Sequence, residues 1–200
     1  IAIEIVSDNS PGIIRRLREG EVNFGFVGLL NASNDTIARE LYAEPIQLVC
    51  RKDHPLAMRK GPLCWRDLEG HEFLDPGNDD CTGTVLAELP FLSETLTGAQ
   101  YRTNKAAILV AMIDEGIGVT AMPAFAVPRE YRAKLAFRPL AEPLVQRKIY
   151  LVTRRDHTMS PAEGRFVAEA LAMIEQLRRV DKDVAATPRI HARSRPLNSR

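Results

Sequence analysis

The chain has 200 residues, 45% of them hydrophobic and 26% charged, with a formal net charge of +1. That length can bury a sizeable core, in one domain or in two small lobes that share strands. The near-neutral balance supplies no whole-chain field for nucleic acid or a membrane surface, and charges interrupt each apolar run too early for a membrane-spanning helix.

In chain order, Ile1–Val6 alternates as a strand with Ile1, Ile3 and Ile5 on one face. Ser10-Pro11 supplies a helix cap and a first-turn proline, Ile13, Ile14 and Leu17 form a buried stripe, and Gly20 closes the helix. Val22–Gly28 returns as a strand, so the trio predicts a βαβ unit with parallel pairing. After a polar loop, Ile37–Tyr42 and Ile46–Arg51 are two extended runs divided by Glu44-Pro45. A helical turn is expected over Trp65–Leu68, a short strand over Glu72–Leu74, and a turn-rich loop over Asp75–Asp80. A helix over Thr82–Leu89 and a strand over Gln100–Thr103 follow.

Asn104–Pro123 then orders its parts as polar cap, apolar helix, Gly-x-Gly turn, strand and proline stop. A dinucleotide fingerprint needs its glycines after a strand and before a helix. Here Gly116 and Gly118 come after the helix. They read as a C-cap and a tight turn, not a phosphate cradle. Leu135–Leu140 and Arg147–Thr153 are strands, and Ser160, Pro161 and Glu163 make a capping box for a last helix with Phe166, Val167, Ala170, Leu171 and Ile174 on its apolar face. From Arg179 to Arg200 a basic, aperiodic tail is expected to be disordered; its arginines are solvated by default, with weak contact to DNA phosphates as the other reading.

Cys50, Cys64 and Cys81 are odd in number and unpatterned in spacing. They argue against a disulfide framework and for a reducing, cytoplasmic compartment. Without Cys-x-x-Cys or a histidine cluster, neither a metal site nor a cofactor is expected. No signal-peptide pattern opens the chain, which starts at Ile1 inside a strand-like run and reads as a piece of something longer.

This order of elements predicts an α/β fold of two Rossmann-like lobes joined by two crossover strands. Residues 1–45 with 146–178 form the first lobe, and 46–145 form the second with the crossovers. The same stretches carry a family resemblance. They are Leu17–Gly28, the crossover Leu41–Ala57, Asp67-Leu68, the segment ending Gly116-Ile117-Gly118-Val119-Thr120-Ala121-Met122-Pro123, Arg147–Asp156, and Ser160–Phe166. By their order and spacing the chain resembles the effector-binding domain of LysR-type bacterial transcriptional regulators, with a type 2 periplasmic-binding-protein-like fold. Relative to the family, the first strand and helix of that domain and the DNA-binding winged helix-turn-helix are missing from these residues. The family commonly has an acidic residue where this chain has Asn23, and either side chain can bond turn backbone.

The resemblance implies a small-molecule effector between the lobes. It also implies a homodimer or tetramer built from lobe-to-lobe contacts through residues 11–19 and the helix after Pro123, and DNA contact only through the missing head. No membrane partner and no catalytic residue are expected. Thr103 and Asn104, at a strand-to-helix junction, are at least a cap and are expected to line the cleft, where helix amides suit a carboxylate. Arg102 adds positive charge beside them; Pro76, Gly77 and Asn78 form the loop at the same level; Gly28, Leu29 and Leu30 end a strand on the opposite wall. Asn9 and Ser10 read only as a helix cap. Cys81 opens a helix, which favours a thiolate, but Asp79 and Asp80 oppose it, so a passive cysteine is the reading. A periplasmic-type solute-binding protein shares the architecture and is the main competitor. An enzyme on the same scaffold would need an acid–base pair that the sequence does not offer.

Overall fold

A computed structural model describes residues 3–28, 34–77, 81–90, 92 and 98–184. The expectations for Leu29, Leu30 and Asn78 lie outside the described residues. Residues 3–9 form no regular element, and Ile3 and Ile5 are 61% and 83% exposed. Alternation alone does not make a strand; a ladder partner is needed, and residues 3–6 have none among the described residues.

Helix α1 (Ser10–Arg18) is capped by Asn9, whose side-chain oxygen accepts the Gly12 N–H at 2.8 Å. Ser10, expected as the cap, is instead the first helical residue, and its hydroxyl accepts the Gly28 N–H at 3.2 Å. Ile13, Ile14 and Leu17 pack on Val27 and Val152, as their spacing predicts. Strand β1 (Phe24–Val27) pairs antiparallel with β8 (Gln146–Arg154). The expected parallel βαβ unit therefore does not form among the described residues: residues 3–6 make no strand, and β1 takes its partner from the far end of the chain.

Strand β2 runs unbroken from Thr36 to Arg51, through the Glu44-Pro45 dipeptide expected to divide it. Up to Pro45 its partner is β8, with an irregularity between Glu40 and Tyr42. From Ile46 onward it lies between β6 (Thr120–Pro123) and β7 (Leu135–Ala141), both antiparallel. Pro45 stands where the partner changes, so its missing N–H interrupts no continuous ladder. The following amide, Ile46 N–H, donates to the Val145 carbonyl at 2.9 Å.

Helix α2 (Pro55–Met58), strand β3 (Leu63–Cys64, parallel to β7) and a 3-10 turn (Trp65–Leu68) complete one flank. Trp65 is buried there, with its indole N–H donating to the Pro143 carbonyl at 2.9 Å. Strand β4 (Leu74–Asp75) pairs in parallel with β5 (Tyr101–Arg102), and a parallel bridge from Phe73 to Val119 joins β4 to the approach of β6. Helix α3 (Cys81–Ala87) follows β4, and α4 (Ala106–Asp114) links β5 to β6. Leu109, Val110 and Ile113 of α4 pack on Val49, Met122 and Leu135. The Gly-x-Gly reading holds. Gly116 has φ +77, and a Cβ on Gly118 would lie 2.4 Å from the Glu72 carbonyl oxygen.

After Pro123 the expected helix is split into a 3-10 turn (Ala124–Ala126) and the single turn α5 (Arg129–Arg132). Pro128 lies between them, where a continuing helix would need an amide hydrogen. The last helix, α6 (Pro161–Val184), starts at the predicted capping box and continues past Arg178. The tail expected from Arg179 is therefore helical as far as Val184; residues 185–200 lie outside the described residues. The architecture is two α/β lobes joined by two crossover strands, with separate buried clusters around α1 and around α4.

Candidate functional site

At the carboxyl end of β4 the Asp75 side chain is buried and fully committed. One carboxylate oxygen accepts the Gly77 N–H at 2.8 Å and the other accepts Arg102 Nε–H at 2.5 Å. The Asp75 carbonyl accepts the Thr103 N–H at 3.0 Å. Gly77 turns with φ +70, and a Cβ there would lie 3.7 Å from Arg102 Cγ, Thr103 C and Asn104 N. Pro76, Gly77, Arg102, Thr103 and Asn104 thus form one junction. Helix α3 closes on it: a Cβ on Gly83 would lie 1.6 Å from the Gly77 carbonyl oxygen.

Thr103 and Asn104 do not cap α4. The cap residue is Lys105, with no side-chain cap bond, and the Thr103 hydroxyl accepts the Lys105 N–H at 3.2 Å instead. The extended cap position falls one residue later than the polar pair suggests, so the hydroxyl meets the cap residue's own amide and not one in the first turn. Gly28 lies apart on the β1 side, donating to Ser10.

Between the lobes, Arg147 of β8 donates to Glu44 of β2, from Nε at 3.0 Å and from Nη2 at 2.5 Å; both side chains are 12% exposed. Arg147 Nη1 also reaches the buried Thr82 hydroxyl of α3 at 3.4 Å. The crossover strands are thereby pinned to the helix that packs on Gly77.

Sequence reading missed Asp75, Glu44, Thr82 and Arg147. The Asp-Pro-Gly tripeptide does signal a side-chain-to-backbone turn closing on Gly77. The pairs Asp75–Arg102 and Glu44–Arg147 are non-local and carry no spacing signal.

Other chemistry-bearing groups are quiet. Burial pushes the Cys50 thiol up to about 11, keeping it protonated. The His54 and His71 rings sit 5.0 Å apart, and burial, then the neighbouring His71, lowers the His54 pKa. No group of three or more His, Cys, Asp or Glu among the described residues could hold a metal ion. A surface notch lined by Arg18, Asp35, Arg154, Arg155 and Asp156 pairs its own charges, Arg18 with Asp35 at 2.9 Å and Arg154 with Asp156 at 3.4 Å.

Residues 1–175 match the family described as LysR substrate binding domain. The chain belongs to that family. Its relatives include a HTH-type transcriptional regulator, YbhD, of Escherichia coli K12, 28% identical over 84% of this chain and 53% of that protein. The OxyR dual regulator of the same strain is 29% identical over 80% of the chain and 52% of its own length. The chain spans about half the length of the curated relatives it matches. Among solved structures, the reduced form of OxyR is 26% identical, with a TM-score of 0.63 over 82% of this chain and 76% of that one. In this LysR-family domain the strand-to-helix junctions lie at the carboxyl ends of the parallel strands β4 and β5, the end at which open α/β sheets hold ligands. No helix among its described residues is long and apolar enough to cross a membrane.

Proposed function

We propose that the chain is the ligand-sensing regulatory domain of a LysR-type bacterial transcription factor, binding a small anionic effector at the β4–β5–α4 junction. The observation that carries this reading is the start of α4, which has no side-chain cap and is packed by Thr103–Asn104 against the buried Asp75–Gly77 turn. Helix-start amides and the helix dipole favour a carboxylate there. Arg102 is held beside them by Asp75, so its place is fixed while its charge is largely balanced.

In this reading the lobes are residues 1–45 with 146–178, and 46–145. A ligand between them favours one lobe arrangement by its differential affinity. The regulator works in the cytoplasm as a dimer in which α1 of one protomer faces the segment after Pro123 of the other. DNA is contacted through a part of the protein outside these residues, which fits a chain spanning half of relatives named as HTH-type regulators.

Thermal-shift screening of a small-molecule panel that sets carboxylates beside neutral and cationic compounds tests the site. The expected result is stabilisation by anionic compounds that Thr103→Ala with Asn104→Ala removes. Hits confined to neutral or cationic compounds, or unchanged binding by the double variant, would defeat the reading.

A second reading has an observation of its own. Several relatives are named as hydrogen peroxide-inducible gene activators, and α3 opens on Cys81 beside Thr82. Peroxide would oxidise the Cys81 thiolate to a sulfenic acid, releasing hydroxide. Mass spectrometry after peroxide treatment decides between unmodified Cys81, as the anionic reading expects, and an oxidised one.

A further inference from the structure

Two buried side-chain atoms have no hydrogen-bond partner among the described residues, Gln47 Oε1 and His157 Nε2. His157 Nε2 still lies 3.3 Å from the Glu163 carboxylate, within ion-pair range. Gln47 Oε1 has no such neighbour among the described residues. Gln47 is 8% exposed and sits on β2 between Ile46 and Leu48, both fully buried. An isosteric methionine would fill this position without leaving a carbonyl unmatched, and an orphaned buried acceptor in a native fold calls for an explanation.

Its place supplies one. Ile46, Leu48 and Cys50 enter one buried cluster, whereas Val49 faces Leu109, Val110 and Ile113 of α4. Gln47 shares the Val49 face, because side chains alternate along a strand. Two registers fix its level. Arg51 Nη1 donates to the Asp114 carbonyl at 3.1 Å, joining the end of β2 to the end of α4. Four residues back along β2 is about 13 Å, and eight back along α4 about 12 Å, which sets Gln47 level with Ala106. Independently, Gln47 is paired with Met122, and the parallel bridge from Phe73 to Val119 sets Met122 level with Pro76. Both routes lead to the junction of Pro76–Gly77 with the first turn of α4.

We propose that Gln47 contacts the effector directly, and that the effector is a small anion bearing a hydrogen-bond donor, a hydroxy or amino acid. Its anionic group meets the first turn of α4 and its hydroxyl or ammonium donates to Gln47 Oε1. This assignment rests on the effector site proposed above and deepens it by naming the ligand class.

Calorimetric titration of the whole chain with two series tests it: lactate, pyruvate and propionate, and malate, oxaloacetate and succinate. In at least one series the hydroxy acid is expected to bind about tenfold more tightly than its keto and unsubstituted partners, the worth of one hydrogen bond to a buried acceptor. Gln47→Met should erase that preference, leave the weaker binding of the unsubstituted acid in place, and raise Tm. The proposal is overturned if the preference survives Gln47→Met, if the keto acid is preferred, or if none of the six binds. Thr103→Ala with Asn104→Ala separates the two claims. If that variant loses all carboxylate binding while Gln47→Met keeps the hydroxyl preference, the site stands and the role of Gln47 falls. If it keeps full binding, the site itself falls.

Discussion

The Asn23 carboxamide donates a hydrogen bond to the Glu163 carboxylate across 140 residues of chain. Glu163 also accepts the Ser160 N–H at 2.6 Å, while the Ser160 hydroxyl accepts the Glu163 N–H at 3.3 Å. The capping box of α6 thus doubles as a fastening onto the turn before β1. Asn23 does not bond the turn backbone as expected; its partner is a carboxylate, which needs a donor. Asn23→Asp, although it matches the residue common in the family, should lower Tm by several degrees by setting like charges together. Thermal unfolding checks this, with Glu163→Gln in the same chain restoring most of the loss.

The same carboxylate sets an acid response. The Ser160 amide first, then the Asn23 carboxamide, hold the Glu163 pKa at about 2, below its ordinary value of 4.5. A depressed carboxylate contributes stability that is fully present above the unfolded value and is lost as pH falls through the folded one. Stability should therefore decline from about pH 4.5 toward pH 2. Glu163→Gln should flatten that part of a Tm-against-pH curve; an unchanged slope would remove Glu163 from the account.

Arg147 and Glu44 are each only 12% exposed, so losing one partner leaves the other charge largely stranded from water. Arg147→Met is expected to cost about 3 kcal/mol in denaturant unfolding. Adding Glu44→Gln should recover most of it, because the uncompensated charge goes too.

Two glycines should respond in opposite directions to alanine. Gly83→Ala drives a methyl group into the Gly77 carbonyl and should cost about 3 kcal/mol, the scale of overpacking a tight contact. It should also weaken effector binding by moving the Pro76–Gly77 turn. A methyl group on Gly164 would meet nothing within 4 Å, and in the first turns of α6 Gly164→Ala should gain about 0.5–1 kcal/mol. Paired unfolding curves read both.

What the sequence could show follows the range of each interaction. The α1 stripe of Ile13, Ile14 and Leu17, the 3-10 turn at Trp65 and the Ser160–Glu163 box all rest on neighbours within a few positions. They lie where their local patterns predict. The break at Pro45 and the pairing of β1 depend on partners more than a hundred residues away, and the alternation at Ile3–Ile5 finds no ladder partner among the described residues; there the local pattern misleads. At the candidate site, the backbone pieces Gly77 and Thr103–Asn104 are legible as turn and junction. The charges that hold them, Asp75 on Arg102 and Glu44 on Arg147, exist only once the sheets are assembled.

Strand β2 has a mechanical consequence. It passes from one sheet into the other with no loop between Thr36 and Arg51, so the lobes have no slack joint at this crossing. Any change in their angle must be taken up as added or relaxed twist along β2 and the adjoining stretch of β8, with the irregularity at Glu40–Tyr42 the most compliant point. Such a ribbon behaves as a torsion spring: it resists large openings and returns the lobes to one resting angle when the load is removed.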